Sequence, residues 1–271
     1  SKWLPKNKSD PKAVLIGIHG FSGAASDFNN LGTYLSNQNI SLYAYELRGQ
    51  GNDPDQSRVG DIASVEHWYK DLNSFIKKVH KETGDAPTFL YGESLGSLII
   101  MHGNSYLDES IKETIKGVIY ASPLIALPGE LPPVKNFIVR LAMFLFPKMK
   151  ISIKSLASNQ NAQVTSETDH WEQMAKTPHF VPKYTLRTLG SIEDLVYSSK
   201  EVAPRITKPT LILYPGKDVF TRPDQVDKFF GNLKSKDKKK HLFKESHHLL
   251  AFDKEKERLF EIVERWINKR L

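Results

Sequence analysis

Apolar runs that alternate with helical patterns most constrain the fold of this chain. Runs without polar alternation are typical of strands buried on both faces of a sheet. Predicted strands occupy residues 13–18, 41–46, 88–91, 117–121, 210–214 and 241–243. Helical patterns occupy residues 28–37, 64–83 and 259–267, and another continues from residue 95 through residue 101. The alternation predicts an α/β fold, with a mostly parallel sheet and helices on both of its faces.

The alternation stops between Ser122 and Pro209. This stretch has helical patterns and proline punctuation but no clear strand. Active sites of α/β folds form at the carboxyl ends of the strands. We therefore predict a core made of residues 1–122 and 209–271, with residues 123–208 forming a helical cap insertion over that edge of the sheet.

Composition and motifs exclude several classes of protein and site. The 271 residues include no cysteine, which excludes a disulfide scaffold, a thiol nucleophile and cysteine-based metal sites. The most apolar window, residues 137–146, contains Arg140 and is shorter than the ~20 residues that a membrane span needs. The nine histidines form neither H-x-x-x-H nor H-E-x-x-H, and no phosphate loop or dinucleotide fingerprint is present. We expect no cofactor and no metal.

The sequence G-x-S-x-G at residues 92–96 lies between a predicted strand and a predicted helix. In that setting Ser94 would sit on a sharp, strained turn at the end of the strand. The flanking glycines would let strand and helix approach closely. The helix N-terminus would offer backbone N–H groups to a developing anion. We predict that Ser94 is a nucleophile.

A serine nucleophile needs a base and a carboxylate that orients the base. For this strand–turn–helix motif the order along the chain is serine, acid, histidine. Asp218 follows the fifth predicted strand and is the predicted acid, whereas Asp224 and Asp227 look like the cap and first turn of the next helix. Two adjacent histidines, His247 and His248, follow the sixth strand, and the residues alone leave the choice between them open.

An oxyanion hole requires two hydrogen-bond donors. The backbone N–H of Leu95, directly after the serine, is the first predicted donor. Phe21 follows the first predicted strand and is expected to supply the second backbone N–H. His19, two residues before Phe21, is interpreted as a structural residue bonded to backbone near this turn.

Positive charge is concentrated at the end of the chain. Residues 200–271 hold 18 Lys and Arg against 11 Asp and Glu, so they carry the whole net charge of +7. Five lysines cluster between residues 234 and 240. The cluster is interpreted as a solvated segment before a strand, with attraction to an anionic membrane surface as the alternative. Nucleic acid is not an expected partner, because no aromatic or arginine residues are interleaved with the lysines.

The apolar segment at residues 137–146 admits two interpretations. It either packs on the body of the protein as a cap helix or forms a lip that touches lipid and guides an acyl chain. Leu141, Phe144 and Leu145 are the predicted substrate-binding residues. We expect transient contact with a membrane surface through this segment and the lysine-rich C-terminal region.

These motifs resemble the α/β-hydrolase superfamily and, within it, the monoacylglycerol lipase and lysophospholipase group, which is also classified with serine aminopeptidase-type hydrolases. The resemblance covers nearly the whole chain. It implies a helical cap that shapes an acyl pocket, and it implies that His248 is the base, because the family has one histidine before a short apolar pair. The matching motifs are W-x-P at residues 3–5, H-G-F at 19–21, R-G-x-G at 48–51, G-x-S-x-G at 92–96, S-P-L at 122–124, G-x-D at 216–218 and H-L-L at 248–250.

The chain departs from the family pattern at several positions. Gln50 and Glu93 stand where the family commonly has histidine, so any role of the first of these histidines is expected to be lost. Thr221 replaces a usual valine. Relatives carry a β-hairpin before the W-x-P motif that begins this chain, so we expect an upstream segment to be missing.

The resemblance implies a cofactor-independent serine hydrolase that acts on a small lipid or ester. The implied substrates are monoacylglycerol or lysophospholipid esters, cleaved through an acyl-enzyme on Ser94. The alternatives are a short-chain carboxylesterase or peptidase of the same fold, and a non-catalytic ligand-binding relative. The expected location is cytoplasmic or membrane-associated.

Overall fold

The computed structural model describes residues 1–5, 10–84, 86–127, 133–153, 163–166 and 179–271. The strands are β1 (Lys2–Trp3), β2 (Ala13–Ile18), β3 (Ile40–Ala44), β4 (Thr88–Glu93), β5 (Ile115–Ala121), β6 (Lys150–Ser152), β7 (Lys183–Thr185), β8 (Thr210–Pro215) and β9 (Lys238–Phe243). The helices are α1 (Asn29–Asn37), α2 (Glu66–Thr83), α3 (Leu95–Gly103), α4 (Glu109–Thr114), α5 (Pro133–Leu145), α6 (Leu186–Val202), α7 (Pro223–Asn232) and α8 (Lys256–Asn268). Short 3₁₀ turns occupy Ala25–Phe28, Gln56–Arg58, Asn104–Tyr106, Ala203–Arg205 and Leu250–Phe252.

Seven strands form one sheet in the order β1-β3-β2-β4-β5-β8-β9. Every neighbouring pair is parallel except β1 and β3, which pair antiparallel. Parallel neighbours need crossover connections, and helices supply them throughout this sheet. The predicted α/β fold with a mostly parallel sheet is confirmed.

Both faces of the sheet are buried, which explains the uninterrupted apolar runs. Val14 and Ile16 of β2 pack on one face with Trp68 of α2. Leu15, between them, packs on the opposite face with Trp266 of α8. Complete burial of an aliphatic side chain of this size stabilises the fold by about 1.5–3 kcal/mol. Helices therefore cover both faces, as the sequence predicted.

The last strand is longer than the sequence predicted. It begins at Lys238, three residues before the predicted start at His241. The Lys238 ammonium donates to backbone carbonyls at the end of α7, and the Lys240 ammonium lies 2.5 Å from the Asp227 carboxylate. Two lysines of the cluster therefore make structural contacts. The prediction of a wholly solvated cluster is wrong for these two.

The expectation of no strand between Ser122 and Pro209 is wrong. β6 and β7 pair antiparallel in this stretch. Each strand has three residues, which is too short for a recognisable alternation of apolar and polar positions. The division into a core and a cap stays a prediction, and part of the predicted cap lies outside the described residues, namely 128–132, 154–162 and 167–178.

Helix α5 contains most of the apolar segment that the sequence singled out. It packs on α6, where a Cβ at Gly190 would lie 2.8 Å from the Met143 sulfur. Arg140 anchors the same contact by bonding to Glu193 and Asp194. No helix among the described residues is long and apolar enough to cross a membrane.

Candidate active site

Ser94 lies directly between β4 and α3, with φ of 51° and ψ of −113°. A left-handed φ is strained for a residue other than glycine, so the sharp, strained turn predicted at this serine is present. Its backbone N–H donates to the Ala121 carbonyl at 3.0 Å, which ties the turn to the end of β5. The residue is 7% exposed.

Glycines around Ser94 permit this close packing. A Cβ on Gly96 would overlap the carbonyl oxygen of Ile18, and a Cβ on Gly92 would collide with the Gly96 backbone. Gly20 lies against the serine itself, because a Cβ there would be 3.3 Å from Ser94 Cβ and 4.0 Å from Ser94 Oγ. The end of β2 therefore touches the serine turn.

Asp218 and His248 form a buried pair at the same edge of the sheet. Nδ1 of His248 is 3.0 Å from each carboxylate oxygen of Asp218, and the side chains are 5% and 1% exposed for His248 and Asp218. Asp218 follows β8 and His248 follows β9, which are neighbouring parallel strands. A carboxylate at Nδ1 keeps the proton on that nitrogen and leaves Nε2 as an acceptor.

Phe220 fixes both members of this pair. Its backbone N–H donates to Asp218 Oδ1 at 2.9 Å. Its ring lies edge-on to the His248 imidazole, with 4.7 Å between the ring centroids. The loop after β8 therefore orients the carboxylate and packs on the imidazole at once.

The neighbouring histidine and the alternative acids have other partners. The backbone N–H and Nδ1 of His247 lie 2.7 Å and 3.0 Å from Asp253 Oδ2. Asp224 pairs with Arg222, and Asp227 pairs with a lysine of β9. The structure thus brings Asp218 together with His248 and holds His247 in a local contact. The catalytic roles of Asp218 and His248 stay predictions.

The charges around His248 set its basicity. Burial lowers the pKa of this imidazole, but the charge and hydrogen bond of Asp218, together with the more weakly acting Glu93, outweigh burial and raise the pKa above its ordinary 6.5. Glu93 is itself buried, and burial with repulsion from Asp27 raises its pKa to about 7 against the opposing attraction of His248. Glu93 is therefore a buried carboxyl group whose charge acts on the imidazole.

Ser122 connects the serine turn to the histidine loop, and it is not among the predicted site residues. Its φ is 44°, its N–H donates to the Leu213 carbonyl at 2.8 Å, and its Oγ donates to the His248 carbonyl at 2.5 Å. The preceding residue, Ala121, accepts the bond from Ser94. The S-P-L motif at residues 122–124 is the sequence feature that could have assigned Ser122 to the site.

The predicted oxyanion donors occupy suitable backbone positions. Leu95 is the first residue of α3, where an N–H group has no acceptor within its own helix. Phe21 follows Gly20, which lies against Ser94. His19 is structural, as predicted, because its Nδ1 donates to the Gly20 carbonyl at 2.9 Å and its Nε2 accepts from the Leu47 N–H at 3.0 Å.

The predicted substrate-binding residues lie on the exposed side of α5. Leu141, Phe144 and Leu145 are 44%, 81% and 55% exposed. A contiguous exposed apolar surface is typical of an interaction site. We call the exposed large apolar residues of this region the apolar cap surface, and its members are Phe137, Ile138, Leu141, Phe144, Leu145, Phe146 and Met149.

The part of the chain that the structure describes contains no group of three or more His, Asp or Glu side chains that could hold a metal ion.

Solved structures define the fold class. The chain matches a monoacylglycerol lipase from Paleococcus ferrophilus with a TM-score of 0.81 and 22% identity, over 100% of this chain and 98% of that chain. It matches a soluble variant of monoglyceride lipase from Saccharomyces cerevisiae, solved with a substrate analogue, with a TM-score of 0.82 and 20% identity, over 99% and 90% of the two chains. The chain has the α/β-hydrolase fold.

Sequence comparison defines the family. The Hydrolase_4 family (serine aminopeptidase, S33) matches residues 9–255, so the chain belongs to this family. The monoglyceride lipase of Rattus norvegicus is 24% identical over 252 residues, which are 92% of this chain and 78% of that protein. The chain spans 65% of the length of a relative from Schizosaccharomyces pombe and 27% of one from Dictyostelium discoideum. The relatives that the chain matches include proteins named monoglyceride lipase, carboxylesterase and phospholipase.

Proposed function

We propose that the chain hydrolyses carboxylic esters through a covalent acyl-enzyme on Ser94. The observation that carries this proposal is the strained Ser94 turn at the same sheet edge as the buried Asp218–His248 pair. A serine on a strand–helix turn and a histidine oriented by a buried carboxylate are the parts that nucleophilic acyl transfer requires.

In the proposed first step, Ser94 Oγ attacks the ester carbonyl carbon while His248 Nε2 takes the hydroxyl proton. The N–H groups of Phe21 and Leu95 stabilise the negative charge that develops on the carbonyl oxygen. The protonated imidazole then gives its proton to the departing alkoxide, which leaves as the alcohol. Water, deprotonated by the same imidazole, attacks the acyl-enzyme, and the carboxylic acid and free serine result.

Monoacylglycerol or lysophospholipid is the proposed substrate class. The apolar cap surface supports this choice, because a long acyl chain gains about 0.8 kcal/mol for each methylene that it buries. The names of the relatives from Rattus norvegicus, Saccharomyces cerevisiae and Paleococcus ferrophilus point to monoacylglycerol. The same surface would meet a membrane transiently. The exposed lysines at residues 234, 236 and 239 lie before or at the start of β9, at the opposite, amino edge of the sheet, so they would not share this contact.

The proposal is tested with p-nitrophenyl esters of increasing acyl length, a monoacylglycerol and a lysophospholipid. We expect kcat/KM to rise with acyl length in the wild type and hydrolysis to be abolished in Ser94→Ala. Activity confined to short esters would favour a short-chain carboxylesterase. Cleavage of aminoacyl p-nitroanilides instead would favour a peptidase, and ester binding without turnover would favour a non-catalytic binding protein.

A further inference from the structure

Ser22, which follows the proposed oxyanion donor Phe21, has a left-handed φ of 56°. Strain of this kind persists only where the surroundings hold the residue in place. The Ser22 N–H donates to Gln50 Oε1 at 2.8 Å, and Ser22 Oγ lies 2.8 Å from the hydroxyl oxygen of Tyr184. Two side chains from distant parts of the sequence therefore hold the backbone next to Phe21.

Gln50 and Tyr184 also bond to each other and close a triangle with Ser22. The Tyr184 hydroxyl donates to Gln50 Oε1 at 2.7 Å, and both side chains are fully buried. A backbone N–H can only donate, so the amide oxygen of Gln50 must face Ser22. Because the tyrosine proton is used by Gln50, the Ser22 hydroxyl donates to the tyrosine oxygen. Burial raises the pKa of Tyr184 well above its ordinary value, so this donor stays protonated.

The triangle joins two distant parts of the chain to the loop that carries Phe21. Tyr184 lies in β7, within the segment inserted between β5 and β8, and its ring packs on the Phe21 ring with 4.3 Å between centroids. Gln50 lies in the turn after β3. That turn packs directly on the loop after β2, because a Cβ on Gly51 would be 2.6 Å from the Gly23 carbonyl oxygen.

We propose that Tyr184 and Gln50 are positioning residues that hold the Phe21 N–H where the oxyanion forms. The inference rests on the proposed function, because it assigns these residues to the oxyanion hole of that reaction. Through Tyr184, the segment inserted between β5 and β8 would then position an oxyanion donor as well as form a surface for the acyl chain. The Gln50 side-chain oxygen accepts two of the three bonds of the triangle, one from the Ser22 N–H and one from the Tyr184 hydroxyl.

Tyr184→Phe and Gln50→Met test the inference. The first keeps the ring and removes only the hydroxyl, and the second keeps the length of the side chain and removes the acceptor. Gln50 Nε2 has no partner among the described residues, so Gln50→Met breaks no bond of that nitrogen. It leaves the Ser22 N–H and the Tyr184 hydroxyl without their acceptor, which is the intended perturbation. Loss of a whole oxyanion donor costs about 10²–10³ in kcat, so displacement of one should cost about 10–100-fold.

We expect this fall in kcat with KM within about twofold of the wild type. The affinity for a trifluoromethyl ketone, whose adduct with Ser94 places an anionic oxygen in the same hole, should fall by a similar factor. The acid limb of the pH–rate profile should not move, since neither variant touches His248. The double variant should lose less than the product of the single losses, because both residues hold the same group.

His179→Ala is the matched control. It removes a 2.6 Å contact with Asn52, which also joins the inserted segment to the turn after β3 but lies at the surface. Its kcat should stay within about twofold of the wild type. Melting temperatures identify any variant that fails to fold.

Two failures are distinguishable. If the wild type hydrolyses no ester, the proposed function falls and this inference falls with it. If the wild type hydrolyses esters while Tyr184→Phe and Gln50→Met keep wild-type kcat and inhibitor affinity, only the positioning role is wrong. A rise in KM with unchanged kcat would also overturn it, because it would indicate a substrate contact.

Discussion

The carboxyl edge of the sheet and the apolar cap surface differ in almost every physical respect. At the sheet edge Ser94, Asp218 and His248 are buried, and the imidazole and carboxylate lie in one fixed geometry. On α5 the exposed residues are apolar, and Phe144 leaves 81% of its surface to solvent. The first region suits a reaction that depends on fractions of an ångström. The second suits apolar contacts, which need no fixed direction and whose stabilising free energy increases with the buried area.

This difference separates two kinds of effect. A change at the sheet edge should alter the reaction of every substrate by a similar factor, because all substrates share the reacting carbonyl. A change on the apolar cap surface should alter the reaction in proportion to the length of the acyl chain. Comparing a short and a long ester on the same variant tests whether the two regions are independent in this sense.

Ser94→Ala should produce the largest effect. We expect a loss of about 10⁴-fold or more in kcat on short and long esters alike, because the nucleophile and its base act as a unit. The melting temperature should stay near that of the wild type. Residual activity within tenfold of the wild type would show that another residue is the nucleophile.

The two adjacent histidines should differ sharply. His248→Ala should match the loss of Ser94→Ala, whereas His247→Ala should cost much less, since His247 is bonded to Asp253. Assay of both variants on p-nitrophenyl acetate and a long-chain ester checks this. Reversed outcomes would mean that the Asp218–His248 pair is structural.

Phe144→Asp or Leu145→Asp should lower kcat/KM on a long-chain monoacylglycerol by tens-fold and change p-nitrophenyl acetate hydrolysis little. Losing contact with a few methylenes, at ~0.8 kcal/mol each, accounts for this size. Leu4→Asp is the control, because Leu4 is 45% exposed beside β1 at the far end of the strand order. Equal losses of kcat/KM on both substrates would indicate that α5 has only a structural role, and they would favour a general carboxylesterase.

Glu93→Gln should produce the smallest effect, a shift of the acid limb of the pH–rate profile to lower pH. Activity requires neutral imidazole, and the ionised Glu93 carboxylate favours the charged imidazolium. Its removal therefore lets His248 lose its proton at lower pH. In the wild type the acid limb reflects the coupled titration of His248 and Glu93, because Glu93, with a pKa of about 7, titrates in the same range. A limb that stays in place would show that Glu93 does not act on His248.

Short-range patterns predicted the sheet and much of the candidate site. β2 runs from Ala13 to Ile18 as predicted, because a strand buried on both faces must be apolar at every position. The turn at Ser94 follows from the glycines around it, which local sequence reveals. The position of Asp218 follows from the carboxyl end of a recognisable strand.

Contacts between distant segments could not be read in the same way. Nothing near Ser22 in the sequence indicates that Tyr184 holds it, since 162 residues separate the two. The bond from Ser122 to the His248 carbonyl likewise spans 126 residues. β6 and β7 escaped prediction because three-residue strands depend on their partner and not on a pattern of their own. The choice of His248 over His247 came from resemblance, and the pairing with Asp218 supplies a physical reason for it.

The most direct test of nucleophilic catalysis at the sheet edge is covalent labelling with a fluorophosphonate, read by intact mass and peptide mapping. The wild type should gain the mass of one phosphonyl group, located on Ser94, and His248→Ala should label far more slowly while remaining folded. An enzyme that hydrolyses esters yet carries no label on Ser94, or carries it on another residue, would contradict the account.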